Sequence, residues 1–307
     1  MVVVKPRLVV IAGPTGTGKS DLAIAMAERL DGEVINADSM QLYRGMDIGT
    51  AKVTSTQRQR VPHHLLDVLD VTETASVAVY QLRARAIIEQ LLSAGRTPIL
   101  AGGSGLYVQA VIDEIAFPGT DPAVRDRFLR LVDERGAAAM HAELAAVDPR
   151  SAATILPTDG RRIGRALEVN EITGKPFATT LPVQGPARYS AAVLGLELPT
   201  DRLDARLSDR VDAMMAAGFL QEVHDLLDRG LRDGSTARRA LGYAQLIEAI
   251  DGRRSIDDAV ADTVQATRRF VRRQRSWFRR DTRRQELDAA DPQLVEAAVA
   301  VVKGSAP

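Results

Sequence analysis

A glycine-rich segment near the amino terminus, Gly13–Ser20, follows the pattern G-x-x-x-x-G-K-[ST]. The apolar run Leu8–Ala12 precedes it, and Asp21–Leu30, which has apolar residues at helical spacing, follows it. A buried strand, a glycine loop and a helix in this order are typical of a phosphate-binding P-loop. Successive backbone N–H groups and the positive end of the helix dipole would hold a phosphate or a diphosphate. The segment predicts a phosphate site but does not identify the compound that binds there.

Two side chains of the loop carry specific expectations. Lys19 would neutralise phosphate oxygens, and the Ser20 hydroxyl would reach a Mg²⁺ ion. Arg206 and Arg210 lie four residues apart and could close on a diphosphate from the other side. The loop residues expected to bind the diphosphate are Gly13, Pro14, Thr15, Gly16, Thr17, Gly18, Lys19 and Ser20.

Strand-like and helix-like segments alternate after the loop, which predicts an α/β fold with a doubly wound parallel sheet flanked by helices, as in P-loop NTPases. The predicted strands are Leu8–Ala12, Glu33–Ala37, Leu65–Leu69, Thr97–Ala101 and Ala192–Leu198. The predicted helices of this core include Ser76–Ala94, Leu203–Arg229 and Ala237–Ile250, with a weak helix in the carboxyl-terminal tail.

The rhythm changes from about Phe117, where prolines separate helical stretches that are rich in alanine and arginine. No strand is predicted again before Ala192. We therefore expect residues 119–186 to form a helical insertion, and residues 1–118 and 187–307 to form the core. The end of the insertion, Gly174–Pro186, is expected to be an irregular loop because it contains several prolines.

Composition excludes several classes of protein. The 307 residues contain no cysteine, which rules out disulfides, thiolate catalysis and cysteine-ligated metals. No segment matches a signal-peptide core or a membrane span, so a cytoplasmic protein without a membrane partner is expected. The formal net charge is zero, so any nucleic-acid site must be a local basic patch.

Polar residues follow two of the predicted strands at their carboxyl ends, where α/β folds place their sites. Asp38 could accept a proton from a nucleophile or bind Mg²⁺ through water, although it could instead cap a helix. Ser104 lies in the glycine-rich segment Gly102–Gly105 and could orient an amine or a diphosphate oxygen. The alternative for Ser104 is an ordinary helix N-cap. The adjacent His63 and His64 would point apart on a strand, which favours a structural role over metal binding.

The segment Arg268–Arg284 predicts an amphipathic helix whose basic side faces outward. Phe270, Val271, Gln274 and Phe278 form its docked side. An arginine stripe on a neutral protein indicates contact with a phosphate backbone, and the alternative is a solvated face paired with acids. The nine arginines are Arg268, Arg269, Arg272, Arg273, Arg275, Arg279, Arg280, Arg283 and Arg284. Further basic residues in the insertion are Arg125, Arg127, Arg161, Arg162 and Arg165.

Three functions remain open on these residues alone. They are an ATP-dependent kinase of a nucleotide or small molecule, a transferase that releases diphosphate and acts on a nucleic acid, and a nucleic-acid-binding NTPase. A small-molecule kinase has no need of the arginine stripe. An NTPase usually has an apolar strand that ends in a Mg²⁺-binding acid, and Val34–Asp38 matches that pattern poorly.

The chain also resembles the tRNA dimethylallyltransferases, or tRNA isopentenyltransferases, over nearly its whole length. Ala37–Lys52 is the most specific part of the resemblance. Gly16, Thr17 and Ser20 depart from the usual P-loop of that family, and Ser104 replaces its usual threonine with another hydroxyl. The other segments that carry the resemblance are Gly13–Ser20, Pro62–Leu65, Gly102–Tyr107, Arg162–Glu168, Gly242–Tyr243 and Arg272–Arg279.

The resemblance implies transfer of a dimethylallyl group from dimethylallyl diphosphate to N6 of adenosine 37 in the tRNA anticodon loop. Asp38 would then receive the proton, Ser104 would orient the amine, and Lys19 with Mg²⁺ would stabilise the leaving diphosphate. The insertion would grip the anticodon stem-loop, and a monomer is expected. The residues expected to contact tRNA are Asp38, Ser39, Met40, Gln41, Ser104, Arg125, Arg161, Arg162, Ile163, Gly164, Arg165, Arg272, Arg275 and Arg279.

Overall fold

The computed structural model of the protein describes residues 7–177 and 186–304. The chain divides into two compact units, one formed by residues up to 113 together with those from 187 onward, and one formed by residues 114–186. The sequence had placed the first of these boundaries at residue 119. Within the described ranges, no helix is both long and apolar enough to cross a membrane.

The first unit is built on a six-stranded sheet with the strand order β3-β2-β4-β1-β5-β6. Every neighbouring pair is parallel, so all six strands present their carboxyl ends at the same edge. The strands are β1 Val9–Ala12, β2 Gly32–Asn36, β3 His63–His64, β4 Thr97–Gly102, β5 Ala192–Glu197 and β6 Arg284–Asp288. The predicted parallel α/β architecture is confirmed.

Helices cover both faces of this sheet. Their bounds in the first unit are α1 Lys19–Leu30, α2 Ser55–Arg60, α3 Val77–Ser93, α4 Gly105–Ile112, then α9 Thr200–Ala216, α10 Phe219–Asp228, α11 Tyr243–Ile250, α12 Ile256–Phe278 and α13 Leu294–Lys303. Helices α3 and α4 pack on one face, around Val10 and Leu100. Helices α1 and α13 pack on the other face, around Ile11 and Ile99. Strands that are buried on both faces read as continuous apolar runs, which is why β1 was recognisable in the sequence.

The second unit is a small helical assembly. Its helices in the described residues are α5 Pro122–Arg135, α6 Ala137–Val147, α7 Pro149–Ala152 and α8 Gly160–Thr173. They share a core that includes Phe128, Leu144 and Leu167. Helix α8 ends at Thr173, and its C-cap, Gly174, has a φ of 64°, the left-handed conformation that glycine favours. The loop predicted over Gly174–Pro186 lies largely outside the described residues.

The third strand was predicted in the wrong place. The strand that pairs with β2 is His63–His64, and the predicted segment Leu65–Leu69 is not a strand. Leu65 and Asp67 have φ angles of 59° and 55°, which an extended strand does not allow. The histidines have structural partners, as expected: His63 Nδ1 bonds to the Val61 carbonyl, and His64 Nε2 bonds to the Glu33 carboxylate.

Two predicted helices are each interrupted at a glycine. The predicted helix over 203–229 is divided into α9 and α10 at Gly218, which has a φ of 98°. The predicted helix over 237–250 is a short 3₁₀ turn, Ala237–Arg239, followed by α11, with Gly242 between them at a φ of 85°. In both places the apolar pattern continues past a glycine with a positive φ angle. An α-helix cannot continue through that conformation, so it ends there.

The arginine-rich segment is not one helix. Helix α12 ends at Phe278, and Arg284 begins β6, a polar edge strand that the sequence pattern did not reveal. Arg275 and Arg284 turn inward and meet the carboxylate of Glu197 at the end of β5, at distances of 3.1 Å and 3.2 Å. Their side chains are only 11% and 7% exposed. The prediction that this whole stripe faces outward is therefore wrong for these two residues, because they neutralise a carboxylate that is itself largely buried.

Replacement of Gly102 by alanine should destabilise the protein. A Cβ at this position would lie 2.2 Å from the Ala37 carbonyl oxygen, and that oxygen belongs to backbone that cannot move freely. Overpacking of this kind costs about 1–3 kcal/mol in the free energy of unfolding. Urea denaturation followed by circular dichroism measures the loss. Gly119→Ala is the matched control, because a Cβ there meets nothing within 4 Å, and an equal loss in both variants would contradict the expectation.

Candidate active site

The P-loop lies at the carboxyl end of β1, as predicted. Its first glycine, Gly13, packs against β5, where a Cβ would lie 2.6 Å from the Leu196 carbonyl oxygen. The buried Thr17 closes the loop on itself, since its hydroxyl donates to the Pro14 carbonyl at 2.9 Å. Gly18 takes the left-handed conformation directly before α1, with a φ of 83°. The loop is thereby shaped to present backbone N–H groups at a helix N-terminus, which is a general anion site.

Lys19 is the cation of this loop. Its ammonium donates to the Pro14 carbonyl at 2.7 Å. Burial lowers the pKa of Lys19 to about 8, with the Asp38 carboxylate acting against that shift and the Arg210 guanidinium adding to it. Lys19 is therefore protonated in most molecules at neutral pH, and both Asp38 and Arg210 are near enough to influence its pKa.

Thr15 connects the P-loop to two helices of the same unit. Its backbone N–H donates to Oε1 of Gln274 in α12 at 3.0 Å. Its hydroxyl accepts a hydrogen bond from Arg210 in α9 at 3.1 Å. Burial lowers the pKa of Arg210, and the Asp38 carboxylate opposes this shift. The structure thus brings Arg210 to the P-loop, whereas Arg206 is exposed and does not line the adjoining cavity.

Asp38 lies just beyond β2 in a turn that its own neighbours hold. The Asn36 amide accepts from the Asp38 N–H and donates to the Asp38 carbonyl, both at 2.9 Å. Oδ1 of Asp38 accepts from the Met40 N–H at 2.9 Å, and no helix begins here, so the helix-cap alternative does not hold. No hydrogen bond in the described residues uses the second carboxylate oxygen. That oxygen is available to accept a proton.

Ser104 lies beside Asp38 because β4 pairs with β2. It occupies the N-cap position of α4, yet its hydroxyl makes no capping hydrogen bond. The hydroxyl instead accepts from the Ser39 N–H at 3.1 Å and lies 3.3 Å from the Ser39 hydroxyl. A polar pair, Ser39 and Ser104, thereby flanks the carboxylate of Asp38.

Most of these groups, but not Lys19, line one cavity of about 530 Å³. Its polar lining includes Thr15, Asp38, Ser39, Ser104 and Arg210. Its apolar lining includes Leu207, Val211, Met214, Phe219, Phe270 and Trp277, with Met40 also present. Gln41 was also predicted to contact tRNA, but it does not line this cavity. Its amide donates to the Thr50 carbonyl. The cavity combines a cationic end, a carboxylate and an apolar wall.

Several residues of the site were not predicted as functional. Gln274 had been placed only on the docked side of its helix, although a buried amide on an apolar face needs partners and so signals a polar contact. Phe270 and Trp277 line the cavity from α12. Glu222 accepts hydrogen bonds from the N–H groups of residues 47, 48 and 49, and it fixes the loop that brings Gly49 and Thr50 to the cavity.

The basic residues of the second unit have different environments. Arg125 and Arg165 both contact the fully buried carboxylate of Glu168, at 2.9 Å and 2.8 Å, so part of their charge is used within the unit. Ile163 and Gly164 are buried in the helical core. Arg161 and Arg162 are exposed, and within the described residues they have no ion-pair partner.

Helix α12 retains an exposed basic face. Arg272 lies on it and Arg279 follows its last residue as the C-cap, and both are exposed. Neither has an ion-pair partner among residues 7–177 and 186–304. Unlike these two residues, Arg127 of the second unit has an ion-pair partner, Glu171. The expected phosphate contacts of Arg272 and Arg279 thus remain compatible with the geometry, while Arg275 of the same helix is committed to Glu197.

Comparison with known proteins identifies the family. The sequence model of the IPP transferase family matches residues 41–281. The chain belongs to this family. A curated tRNA dimethylallyltransferase of Nocardia farcinica is 55% identical over 298 residues, which cover 97% of this chain and 95% of that protein. A second, of Saccharopolyspora erythraea, is 59% identical over 289 residues, with 94% and 93% covered.

Solved structures of similar proteins agree on the fold. The tRNA isopentenylpyrophosphate transferase of Bacillus halodurans has a TM-score of 0.72 and 36% identity, with 98% of each chain covered. A eukaryotic dimethylallyltransferase acting on tRNA has a TM-score of 0.79 and 27% identity, covering 96% of this chain and 77% of that one. The prediction of a P-loop NTPase-like fold of the tRNA isopentenyltransferase type is confirmed.

The lowered pKa of Lys19 predicts how anion binding depends on pH. Lys19→Gln should weaken binding of inorganic diphosphate roughly tenfold or more near pH 7, because a charge-assisted hydrogen bond is lost. The ratio of wild-type to variant affinity should fall towards one as the pH rises through about 8, where Lys19 of the free protein loses its proton. Titration calorimetry from pH 6.5 to 9.5 measures this ratio, in which the ligand's own ionisation cancels.

Lys19→Arg is the matched control for this titration. Arginine stays charged over the whole range, so the affinity of this variant relative to Lys19→Gln should show no step near pH 8. A wild-type ratio that stayed constant up to pH 9.5 would mean that Lys19 titrates at its ordinary pKa.

Proposed function

We propose that this protein transfers a dimethylallyl group from dimethylallyl diphosphate to N6 of adenosine 37 in the tRNA anticodon loop and releases diphosphate. Curated relatives that are more than half identical are named tRNA dimethylallyltransferase, and the eukaryotic structural neighbour acts on tRNA. One observation carries the proposal. Asp38 lies within electrostatic reach of Lys19 and Arg210, and it lines the same cavity as the hydrogen-bonded pair Ser39 and Ser104.

The cationic end of the site suits the diphosphate of the donor. When the allylic carbon–oxygen bond breaks, its electron pair stays with the diphosphate, which gains negative charge. Lys19 and Arg210 are held against the P-loop by their hydrogen bonds to the Pro14 carbonyl and the Thr15 hydroxyl, so both would lie close to that charge and stabilise it. The apolar wall formed by residues such as Val211 and Met214 suits a five-carbon tail better than it suits the polar edge of ATP.

The polar pair on the other side suits the acceptor amine. The N6 nitrogen forms the new bond to the allylic carbon and must lose one proton. The carboxylate of Asp38 has an oxygen without a hydrogen-bond partner in the described residues and receives that proton as general base. The Ser104 hydroxyl, which is not used to cap its helix, orients the amine. An adenine can reach this position only after it leaves the stack of the loop.

Magnesium fits the residues in the manner expected of a P-loop. The described residues contain no cluster of three or more histidine or acidic side chains that would form a protein cage. Mg²⁺ commonly takes one or two protein oxygens together with phosphate oxygens and water. The exposed Ser20 hydroxyl, with Asp38 acting through water, would hold the ion against the diphosphate. When bound, Mg²⁺ would supply positive charge to the leaving group.

The basic surfaces suit the tRNA. Arg272 on α12, Arg279 at its C-cap, and Arg161 and Arg162 on α8 are exposed and can contact phosphates. Arg125 and Arg165 could contribute only the part of their donors that Glu168 does not use. Because tRNA is the proposed acceptor, we place the enzyme in the cytoplasm. We also propose that it is a monomer.

The transfer assay tests the function and the role of Asp38 together. The purified protein, Mg²⁺, labelled dimethylallyl diphosphate and an anticodon stem-loop with adenosine at position 37 should give N6-dimethylallyladenosine after digestion to nucleosides. Asp38→Asn should bind the stem-loop normally but lose about 10²-fold or more in turnover, because the general base is gone. Asp70→Asn, at an exposed carboxylate paired with Arg44, is the matched control and should be as active as the wild type.

Two outcomes would contradict this proposal. Transfer of phosphate from ATP to a small molecule, with no product from dimethylallyl diphosphate, would favour a kinase. Intact turnover in Asp38→Asn would keep the reaction but remove Asp38 as its base. A stem-loop with guanosine at position 37 should be inert, because guanine has no N6 amine.

The double variant Arg272→Gln/Arg279→Gln should bind the stem-loop more weakly and with a flatter dependence on salt. Each lost phosphate contact should reduce the slope of log K against log salt by about 0.7 to 0.9. Arg275→Gln removes a charge from the same helix but should leave the slope unchanged, because Arg275 pairs with Glu197 inside the protein. Filter binding at several salt concentrations measures all three slopes, and equal slopes would remove α12 from the RNA interface.

A further inference from the structure

Gln274 is a buried amide at the centre of the site. It belongs to α12 and is 5% exposed. Its Oε1 accepts from the Thr15 N–H of the P-loop at 3.0 Å. Its Nε2 donates to the carbonyl of Gly103, in the loop after β4, at 2.9 Å. One side chain therefore bonds to both loops that follow the two neighbouring strands.

In the part of the chain that the structure describes, no backbone hydrogen bond joins these two loops beyond the strands. The parallel ladder between β1 and β4 ends with the pair Ala12 and Gly102. Just beyond that pair the two backbones stay close, since a Cβ at Gly103 would lie 3.4 Å from the Gly13 carbonyl oxygen, but the ladder pairing has ended. Gln274 bonds to Gly103, one residue beyond the last paired residue of β4, and to Thr15, three residues beyond the last paired residue of β1. It continues the connection between the strands where the backbone ladder stops.

The glycines of the second loop make room for this contact. A Cβ at Gly103 would lie 2.4 Å from Nε2 of Gln274. A Cβ at Gly105 would lie 2.3 Å from Cδ1 of Trp277, one turn further along α12. Helix α12 thus packs directly against the backbone of this loop, so a displacement of Gln274 would be transmitted to Ser104 between the two glycines.

We propose that Gln274 is a positioning residue that fixes the separation between the P-loop and the Gly103–Ser104 backbone. This inference rests on the proposed function, in which the P-loop holds the donor diphosphate and Ser104 orients the acceptor amine. Bond formation requires the amine nitrogen and the allylic carbon to meet at about 3–3.5 Å, and a misplacement of 1 Å can cost about 10²-fold in rate. An amide that bonds to both loops sets this distance without touching either reacting atom.

Gln274→Met is the principal test. Methionine has similar length and volume but forms neither hydrogen bond, so the two loops lose their link while the core stays filled. Each loop should still bind its own substrate. We expect a single-turnover rate that is roughly 10- to 100-fold lower. The dissociation constants for the stem-loop alone and for dimethylallyl thiodiphosphate, an unreactive donor analogue, should change by less than about threefold, a factor worth under 1 kcal/mol.

Two further variants separate positioning from stability. Gln81→Met is the matched control, because Gln81 is also a buried glutamine, and its amide donates to the Ala110 carbonyl in α4, outside the cavity. It should lose thermal stability as Gln274→Met does but keep the wild-type transfer rate. Gln274→Glu keeps an acceptor for Thr15 but, as a carboxylate, has no N–H for Gly103, so it should be as slow as Gln274→Met. It also decides the question if Gln274→Met does not fold.

The possible results distinguish failure of the positioning role from failure of the proposed function. A wild-type protein that transfers dimethylallyl groups, together with Gln274 variants as fast as Gln81→Met, would overturn the positioning role and leave the proposed function intact. A loss that appears only in the dissociation constant of one substrate would also overturn it, because Gln274 would then support a single loop. A wild-type protein that transfers nothing would reject the proposed function, and the inference with it.

Discussion

The site depends on how closely the backbones of β2 and β4 approach at their carboxyl ends. The Ala37 N–H donates to the Ala101 carbonyl at 2.8 Å, and the Ser104 N–H donates to the Ala37 carbonyl at 3.2 Å. Gly102 lies between these two bonds, and only the absence of a side chain allows this approach. A carboxylate and a hydroxyl that are far apart in the chain thereby become neighbours. The pairing of the strands, rather than the loops themselves, places Asp38 beside Ser104.

Electrostatics then links the carboxylate to the phosphate site. Burial lowers the pKa of Lys19, and the nearby carboxylate of Asp38 counteracts part of that effect. The same carboxylate acts on Arg210, which contacts the P-loop through Thr15. The group proposed to take the proton therefore also helps to maintain the cations proposed to hold the leaving group. Base and leaving-group site are thus coupled through charge as well as through geometry.

The arginines near the carboxyl-terminal end of the first unit have two different tasks. Arg275 and Arg284 converge on Glu197 and join α12 and β6 to the end of β5. Arg283 reaches the buried carboxylate of Asp113 at 2.5 Å. Arg272 and Arg279 remain exposed and suit a phosphate backbone. A carboxylate buried nearby, rather than the arginine itself, determines which of these residues is structural.

The sequence by itself determined the parts of the protein that depend on local pattern. The P-loop, the strand–helix alternation and the polar residues after β2 and β4 were predicted because each is encoded within a short stretch. The P-loop lysine, Asp38 and Ser104 were selected as candidate site residues in the same way, and the specific segment Ala37–Lys52 indicated the family. Each of these features depends on the local sequence and backbone and not on how distant segments pack together.

Only the tertiary structure decided the rest, because it depends on contacts between distant segments. Leu65 and Asp67 have positive φ angles, so the third strand does not lie where it was predicted. The polar segment Arg284–Asp288 is a strand because it pairs with β5. Gln274 bonds to Thr15 and Gly103, from which it lies 259 and 171 residues away in the chain. A sequence pattern shows that a glutamine lies on an apolar face. Which two backbone groups it bonds to is fixed only when helix and sheet pack together.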